Sequence, residues 1–213
     1  LKGTIKNRLF DIKSGMKDPN LTFNLVANGN AKDKYPSVKL KLNLDIADLQ
    51  KLNLHAGPMK LRGNVDADIA NTNPDFLNGE VFLSNVQILQ EAEPIVLDSI
   101  KILAFANSEK NNIKISSQFL KAEVDGKYKL TTLAAAVEKS LSKYIDLGKP
   151  KTNLKSEEQR LTFKLSVDND PVIFKIFPKL TGLEPINITG KYNNVADSLE
   201  VKGTIPRIVY DNN

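Results

Sequence analysis

Hydrophobic and polar residues alternate along most of this chain. From Val38 to Ile46 it reads Val-Lys-Leu-Lys-Leu-Asn-Leu-Asp-Ile, with an aliphatic at every even position (Val38, Leu40, Leu42, Leu44, Ile46) and a charged or polar residue at every odd one. A period of two is the side-chain period of a β-strand, so the five aliphatics are expected on one face and Lys39, Lys41, Asn43 and Asp45 on the other. Such a strand suits an antiparallel sheet with one apolar face and one wetted face. The pattern returns over residues 1–5, 21–27, 59–69, 77–88, 95–105, 113–119, 120–130, 161–167, 186–192 and 199–205. About eleven strands at this spacing predict an all-β chain. Within 77–88 the aliphatics change parity between Leu83 and Val86, which predicts a β-bulge. Residues 47–52 read as a helical turn between strands, and Asn71-Thr72-Asn73-Pro74-Asp75 is a dense turn signal.

Two stretches follow the helical period instead. Over residues 131–144, Leu133, Val137, Leu141 and Tyr144 form one apolar stripe, Ala134, Ala135 and Ala136 favour helix, and Thr131 or Thr132 can serve as N-cap. Asp170-Pro171 makes an N-cap and N1 pair for a second, short helix through Val172, Ile173, Phe174, Ile176 and Phe177, ending at Pro178. That helix is expected either to cap an apolar trough or to serve as an ordinary core helix. Between them the polar stretch 147–160 reads as a loop. A further pattern, apolar-x-Gly-x-apolar, surrounds Gly3, Gly63, Gly79, Gly126, Gly190 and Gly203. Each glycine shares the apolar parity and removes a side chain from that face, which points to a bend or a close neighbour, or to clearance for a ligand chain.

Charge and chemistry narrow the function. The net charge is +5, almost all of it lysine, with arginine at Arg8, Arg62, Arg160 and Arg207 alone. Nucleic-acid readers rely on the bidentate arginine fork, whereas lysines dispersed on the polar faces of strands serve solubility and edge protection, so no nucleic-acid partner is expected. The absence of cysteine excludes disulfides and thiolate catalysis. His55 is the sole histidine and precedes Ala56-Gly57-Pro58, the signature of an exposed turn. The acidic pairs Asp66/Asp68 and Glu91/Glu93 each lie on one face of a strand and read as solvated faces. No glycine loop built to cradle phosphate is present. No catalytic residue, metal or cofactor is expected, and the chain is not read as an enzyme. With 7% aromatic residues and no aromatic girdles it does not read as an outer-membrane barrel.

The order of features resembles the TamB and AsmA-like repeating-β-groove family, in its Bacteroidota-type central region. The residues that carry the resemblance are the alternating 38–46 with Ala47-Asp48-Leu49-Gln50-Lys51-Leu52-Asn53-Leu54, then Leu61-Arg62-Gly63-Asn64-Val65-Asp66-Ala67-Asp68 and Pro74-Asp75-Phe76-Leu77-Asn78-Gly79. They continue through Leu97-Asp98-Ser99-Ile100, Ser116-Ser117-Gln118-Phe119 and Ala122-Glu123-Val124-Asp125-Gly126-Lys127-Tyr128. They end on Phe177-Pro178-Lys179-Leu180 and Ile188-Thr189-Gly190-Lys191-Tyr192-Asn193. The resemblance implies one elongated segment, residues 1–213, of a larger periplasmic protein anchored in the inner membrane. Its fold would be mainly β, a long curved antiparallel sheet (an open groove, or β-taco) with an apolar inner face and two short helices. Its implied work is to hold or conduct phospholipid acyl chains between inner and outer membranes in support of outer-membrane biogenesis. Its partners would be phospholipid, the remainder of its own chain and, through a C-terminal part, an Omp85-type barrel. The residues expected to line the groove are Val38, Leu40, Leu42, Leu44, Ile46, Leu61, Val65, Ile69, Val124, Tyr128, Leu161, Phe163 and Leu165. Two other readings fit the alternation: a closed half-barrel carrying one lipophilic ligand, and a purely structural β-module with a sealed core.

Overall fold

The computed structural model describes residues 2–90, 93–142 and 157–211. Twelve strands form one antiparallel sheet that does not close. In chain order its first nine are β1 (Lys2–Lys6), β2 (Leu9–Asp18), β3 (Leu21–Asn30), β4 (Ser37–Asp48), β5 (Met59–Asn71), β6 (Asn78–Gln90), β7 (Glu93–Ala106), β8 (Asn111–Ser117) and β9 (Leu120–Lys127), each paired with the next. After helix α1 (Leu130–Leu141) the chain returns as β10 (Arg160–Val167) beside β9. Helix α2 (Pro171–Ile176) and β11 (Leu180–Leu183) follow, and β12 (Ile186–Asn193) and β13 (Ser198–Thr204) complete the large sheet. β14 (Ile208–Tyr210) pairs with β11 in a separate two-stranded sheet.

The expected strands are present, with three additions. β2 is a full strand whose alternation is blurred by Ser14 and Gly15, and β11 and β14 are too short to show a period. The turn into β2 rests on Asn7 and Arg8, at φ of 53° and 61°, which gives the two-residue hairpin a twist matched to its strands. The bulge expected between Leu83 and Val86 is at Asn85 (φ 53°), where the β5–β6 register slips between Arg62/Gln87 and Asn64/Ser84. Residues 49–54 form hydrogen-bonded turns, Leu52 N–H donating to the Asp48 carbonyl and Asn53 N–H to that of Gln50.

Both helices form, with one correction. α2 has the expected cap: the Asp170 carboxylate accepts from Val172 N–H at 2.8 Å, with Pro171 in the first turn. α1 begins after Lys129 and neither Thr131 nor Thr132 caps it. A distant carboxylate does so instead: Asp75 accepts from Thr131 N–H at 2.9 Å and from Thr131 Oγ1 at 2.7 Å. Tyr144, most of the polar stretch 147–160 and Glu91 lie outside the described residues.

The glycine pattern has a backbone cause. Gly126 sits at φ 148°, and a Cβ there would lie 2.6 Å from the Cα of Leu161 on the adjacent strand. Gly79 is held the same way, at φ 152° and 2.6 Å from the Cα of Ile69. Only a residue without a Cβ permits that backbone and that approach. Gly3 has no such constraint, since a Cβ there would meet Asp11 O at 3.3 Å and nothing closer. Gly126→Ala is therefore expected to destabilise the chain by about 2–4 kcal/mol in chemical denaturation, from strain plus overlap. Gly3→Ala should stay within about 0.5 kcal/mol, as exposed substitutions do.

Candidate functional site: an uncovered apolar face

Residues paired directly across an antiparallel ladder share a face. Following the pairs from strand to strand shows two rows that cross the whole sheet. One row runs Gly3, Ile12, Ala27, Leu40, Ala67, Val81, Ile102, Ile115, Ala122, Leu165, Ile188, Gly203. Its neighbour runs Ile5, Phe10, Gly29, Val38, Ile69, Gly79, Ala104, Ile113, Val124, Phe163, Gly190, Val201. All of these residues are apolar or glycine. A third row, through Leu25, Leu42, Val65, Leu83 and Ile100, covers the middle of the sheet.

Most of the aliphatics in these rows are half-buried by their immediate neighbours, and only small residues such as Ala27 and Ala67 are fully buried. At the two sheet ends the face opens further, with Ile5 78% and Val201 54% exposed. Helices cover it at two places. α1 lies over the ends of β9, β10 and β12, where Tyr128, Ala136, Leu161 and Tyr192 form a buried cluster flanked by Val124, Leu133, Val137 and Phe163. α2 lies towards the opposite strand ends, where Val172 packs with Ile95 and Leu97, flanked by Val86, Ile88, Ile100, Phe119 and Ile176. Phe177, at the C-terminal end of α2, is exposed.

Most of the expected groove residues are on this face. Val38, Leu40, Leu42 and Leu44 are half-buried in register with Leu61, Val65 and Ile69 or their row neighbours, and Leu165 and Val124 continue the rows beyond. Three need correction. A register shift between Leu44 and Ala47 sets Ile46 opposite Thr22, out of line with Leu44, and Ala47 takes the apolar-row position between Leu21 and Leu61. Tyr128 and Leu161 are 3% and 6% exposed in the cluster beneath α1, so they belong to a sealed core and not to an open track. Burial pushes the Tyr128 phenol up to about 12, aided by the nearby Asp125 carboxylate, in keeping with that position.

The other face is a charged surface. Lys39 pairs with Asp68 at 2.7 Å and Lys41 with Asp66 at 3.3 Å, so both aspartates face solvent and hold lysines. A depression of about 640 Å³ on this face is lined by Lys39, Lys41, Asp66, Asp68, Glu80 and Lys101 together with the exposed apolar side chains of Val26 and Phe82. His55 is exposed in its turn, its Nδ1 within 3.2 Å of Gly57 N. The carboxyl of Glu123 is held below its usual range by hydrogen bonds from Asn112 and Lys114. That of Asp125, raised by burial, is brought below its usual range by hydrogen bonds from Lys110 and Asn112.

Sequence reasoning missed the residues that fasten α1 over the apolar face. Gln159 is 1% exposed. Its amide oxygen accepts from Lys129 N–H at 2.9 Å and its Nε2 donates to Thr132 Oγ1 at 2.8 Å, which ties the helix start to β10. Ser140 and Tyr192 hydroxyls meet at 3.0 Å farther along. A buried glutamine in a polar stretch carries no period, so only its three-dimensional partners reveal it.

Gln159→Ala should leave the part-buried Lys129 N–H without its partner, at a cost of about 1–3 kcal/mol. Faster hydrogen exchange confined to α1, with the sheet amides unchanged, is the expected reading. Acid should act on the other face. The lowered Glu123 and Asp125 carboxyls contribute stability that is complete above their unfolded values near 4.5 and 3.8 and is lost as pH falls through the lower folded values. Asn112→Ala should flatten that acid limb in denaturation measured from pH 7 down to the acid transition. Comparison of the chain with protein-family models, curated proteins and solved structures yields no match in any of the three.

Proposed function

We propose that this chain is a β-groove that holds or conducts the acyl chains of phospholipid, as part of a periplasmic protein that supports outer-membrane biogenesis. The observation that carries the reading is the pair of unbroken apolar rows, twelve strands long, with no second layer among the described residues over most of their length. Twelve strands at ~4.8 Å make a track roughly 50–60 Å long. An apolar surface of that extent exceeds what monomers expose without a partner. An extended acyl chain laid along the rows would gain about 0.8 kcal/mol for each methylene withdrawn from water. Because the rows contain no polar residue, no position along them holds a tail more tightly by hydrogen bonding. The helices at opposite strand ends would serve as side walls for such a track.

A closed half-barrel carrier is less well supported, because β1 and β13 are the two unjoined edges of the sheet. No helix among the described residues is long and apolar enough to cross a membrane, so in this reading any anchor belongs to other parts of the protein.

Leu42→Asp tests the reading, since an unpaired carboxylate on the track is costly to desolvate beside a tail. Leu42 faces Leu25 and Val65 and is only half-buried, so the variant is expected to fold. Native mass spectrometry of the purified chain should show phospholipid bound to the parent and at least tenfold less bound to Leu42→Asp. Lys41→Gln, on the ionic face, should match the parent, and it is a cleaner control than Lys41→Asp, which would set a carboxylate against Asp66. Equal lipid on Leu42→Asp and the parent, with both resistant to protease, would refute the groove.

A further inference from the structure

The ionic face carries its charge unevenly. In the depression beside Lys39, Lys41 and Lys101 each lysine has its own carboxylate: Asp68 at 2.7 Å, Asp66 at 3.3 Å and Glu80 at 3.8 Å. A second depression of about 440 Å³ adjoins it over β7, β8, β9, β10 and β12. Four lysines line this one (Lys101, Lys114, Lys121, Lys164) against a single carboxylate, Glu123. The strand ladder gathers them in two adjacent rows. Lys114 and Lys164 stand on either side of Glu123, and Lys101 and Lys121 on either side of Ser116. Two strand spacings put the members of each pair about 10 Å apart.

Two of the four lysines are already engaged. Lys101 reaches Glu80, and Lys114 holds Glu123 at 3.1 Å. Among the described residues no carboxylate is within ion-pair distance of Lys121 or Lys164. Ser166, Asn187 and Thr189 continue the rows beside them and offer hydroxyls and an amide. Leu103 and the lysine stems supply an apolar wall. Farther on the charge is matched again, Lys202 meeting Glu200 at 2.9 Å. A cation excess bounded by matched charge is a local site, which suits a compact anion and not a long polyanion. A phosphate monoester carries about −1.5 to −2 charges and three acceptor oxygens, so one such group answers both unmatched lysines, as a lone carboxylate does not. Lysine serves phosphate as a point charge. The volume is that of a small-molecule site, with room for a polar body beside the phosphate.

We propose that the ionic face binds a phosphate monoester in the depression over β7 to β12, with Lys121 and Lys164 as its counter-ions. Glu123 competes with the ligand for Lys114. The phosphate can come on a soluble molecule or on a lipid headgroup. The site is on the face opposite the apolar rows, so it stands or falls separately from the groove reading.

Two probes carry the same group. Glycerol phosphate, with glycerol as the blank, should shift the NMR amide signals of Lys121, Lys164 and Ser166. Phosphatidylcholine vesicles doped with phosphatidic acid present that group on a lipid, and binding is read by co-sedimentation against undoped vesicles. Binding to either probe supports the site, and the probe that binds identifies the source. Lys121→Ala/Lys164→Ala should weaken that binding at least tenfold. Lys13→Ala/Lys17→Ala removes the same charge from the same face at β2 and should change it less than twofold. Glu123→Gln frees Lys114 and should strengthen binding several-fold, which a merely structural role for these residues would not do. The lysines are exposed, so their variants are expected to fold. Equal weakening by the two lysine pairs would show a response to net charge alone and overturn the proposal. Failure of both probes to bind, with glycerol phosphate taken to about 10 mM, also overturns it.

Discussion

The in-register pairing of neighbouring strands is the constraint on which the rest of this molecule depends. Few large side chains are fully buried, and those that are gather beneath the two helices or near the small second sheet. Over the first half of the large sheet the backbone ladder and the side chains of adjacent strands supply most of the cohesion. The period of two makes that pairing decisive, since a slip of one residue would exchange the apolar and ionic faces of a whole strand. Ion pairs such as Lys39–Asp68 and apolar pairs such as Leu42–Val65 reinforce the same register from opposite faces.

The register also explains where glycine and phenylalanine stand. At Gly126 and Gly79 a neighbouring backbone fills the space of a side chain. At Gly29 and Gly190 the ring of the cross-strand partner, Phe10 or Phe163, lies over the missing Cβ. The apolar face thus stays continuous where a side chain is absent. These local roles give the glycines a structural cause that does not depend on any ligand.

Much of this was legible in the chain itself. Alternation located the strands from β3 to β10 and their inward residues, and the parity change at Leu83 and Val86 located a bulge. The Asp170-Pro171 pair located α2. What escaped depended on distant partners. The cap of α1 comes from Asp75, and its clamp from Gln159, neither of which is periodic with the helix. The β4 bulge that takes Ile46 out of line follows an unbroken alternation, so the letters alone put it on the wrong face. Tyr128 and Leu161 have the right parity for an open track, and only the position of α1 shows that they are covered.

Nearly every strand of the large sheet lies beside the strand made just before it. The exception is β12, which lies beside β10 with α2 and β11 between them in the chain, and α1 intervenes between β9 and β10. Loop closure therefore costs little chain entropy at most steps, and the sheet can grow in the direction of synthesis. A chain emerging from a ribosome or a translocation pore would complete its first nine strands before either helix exists. Each newly arrived strand would then be the edge on which the next one forms.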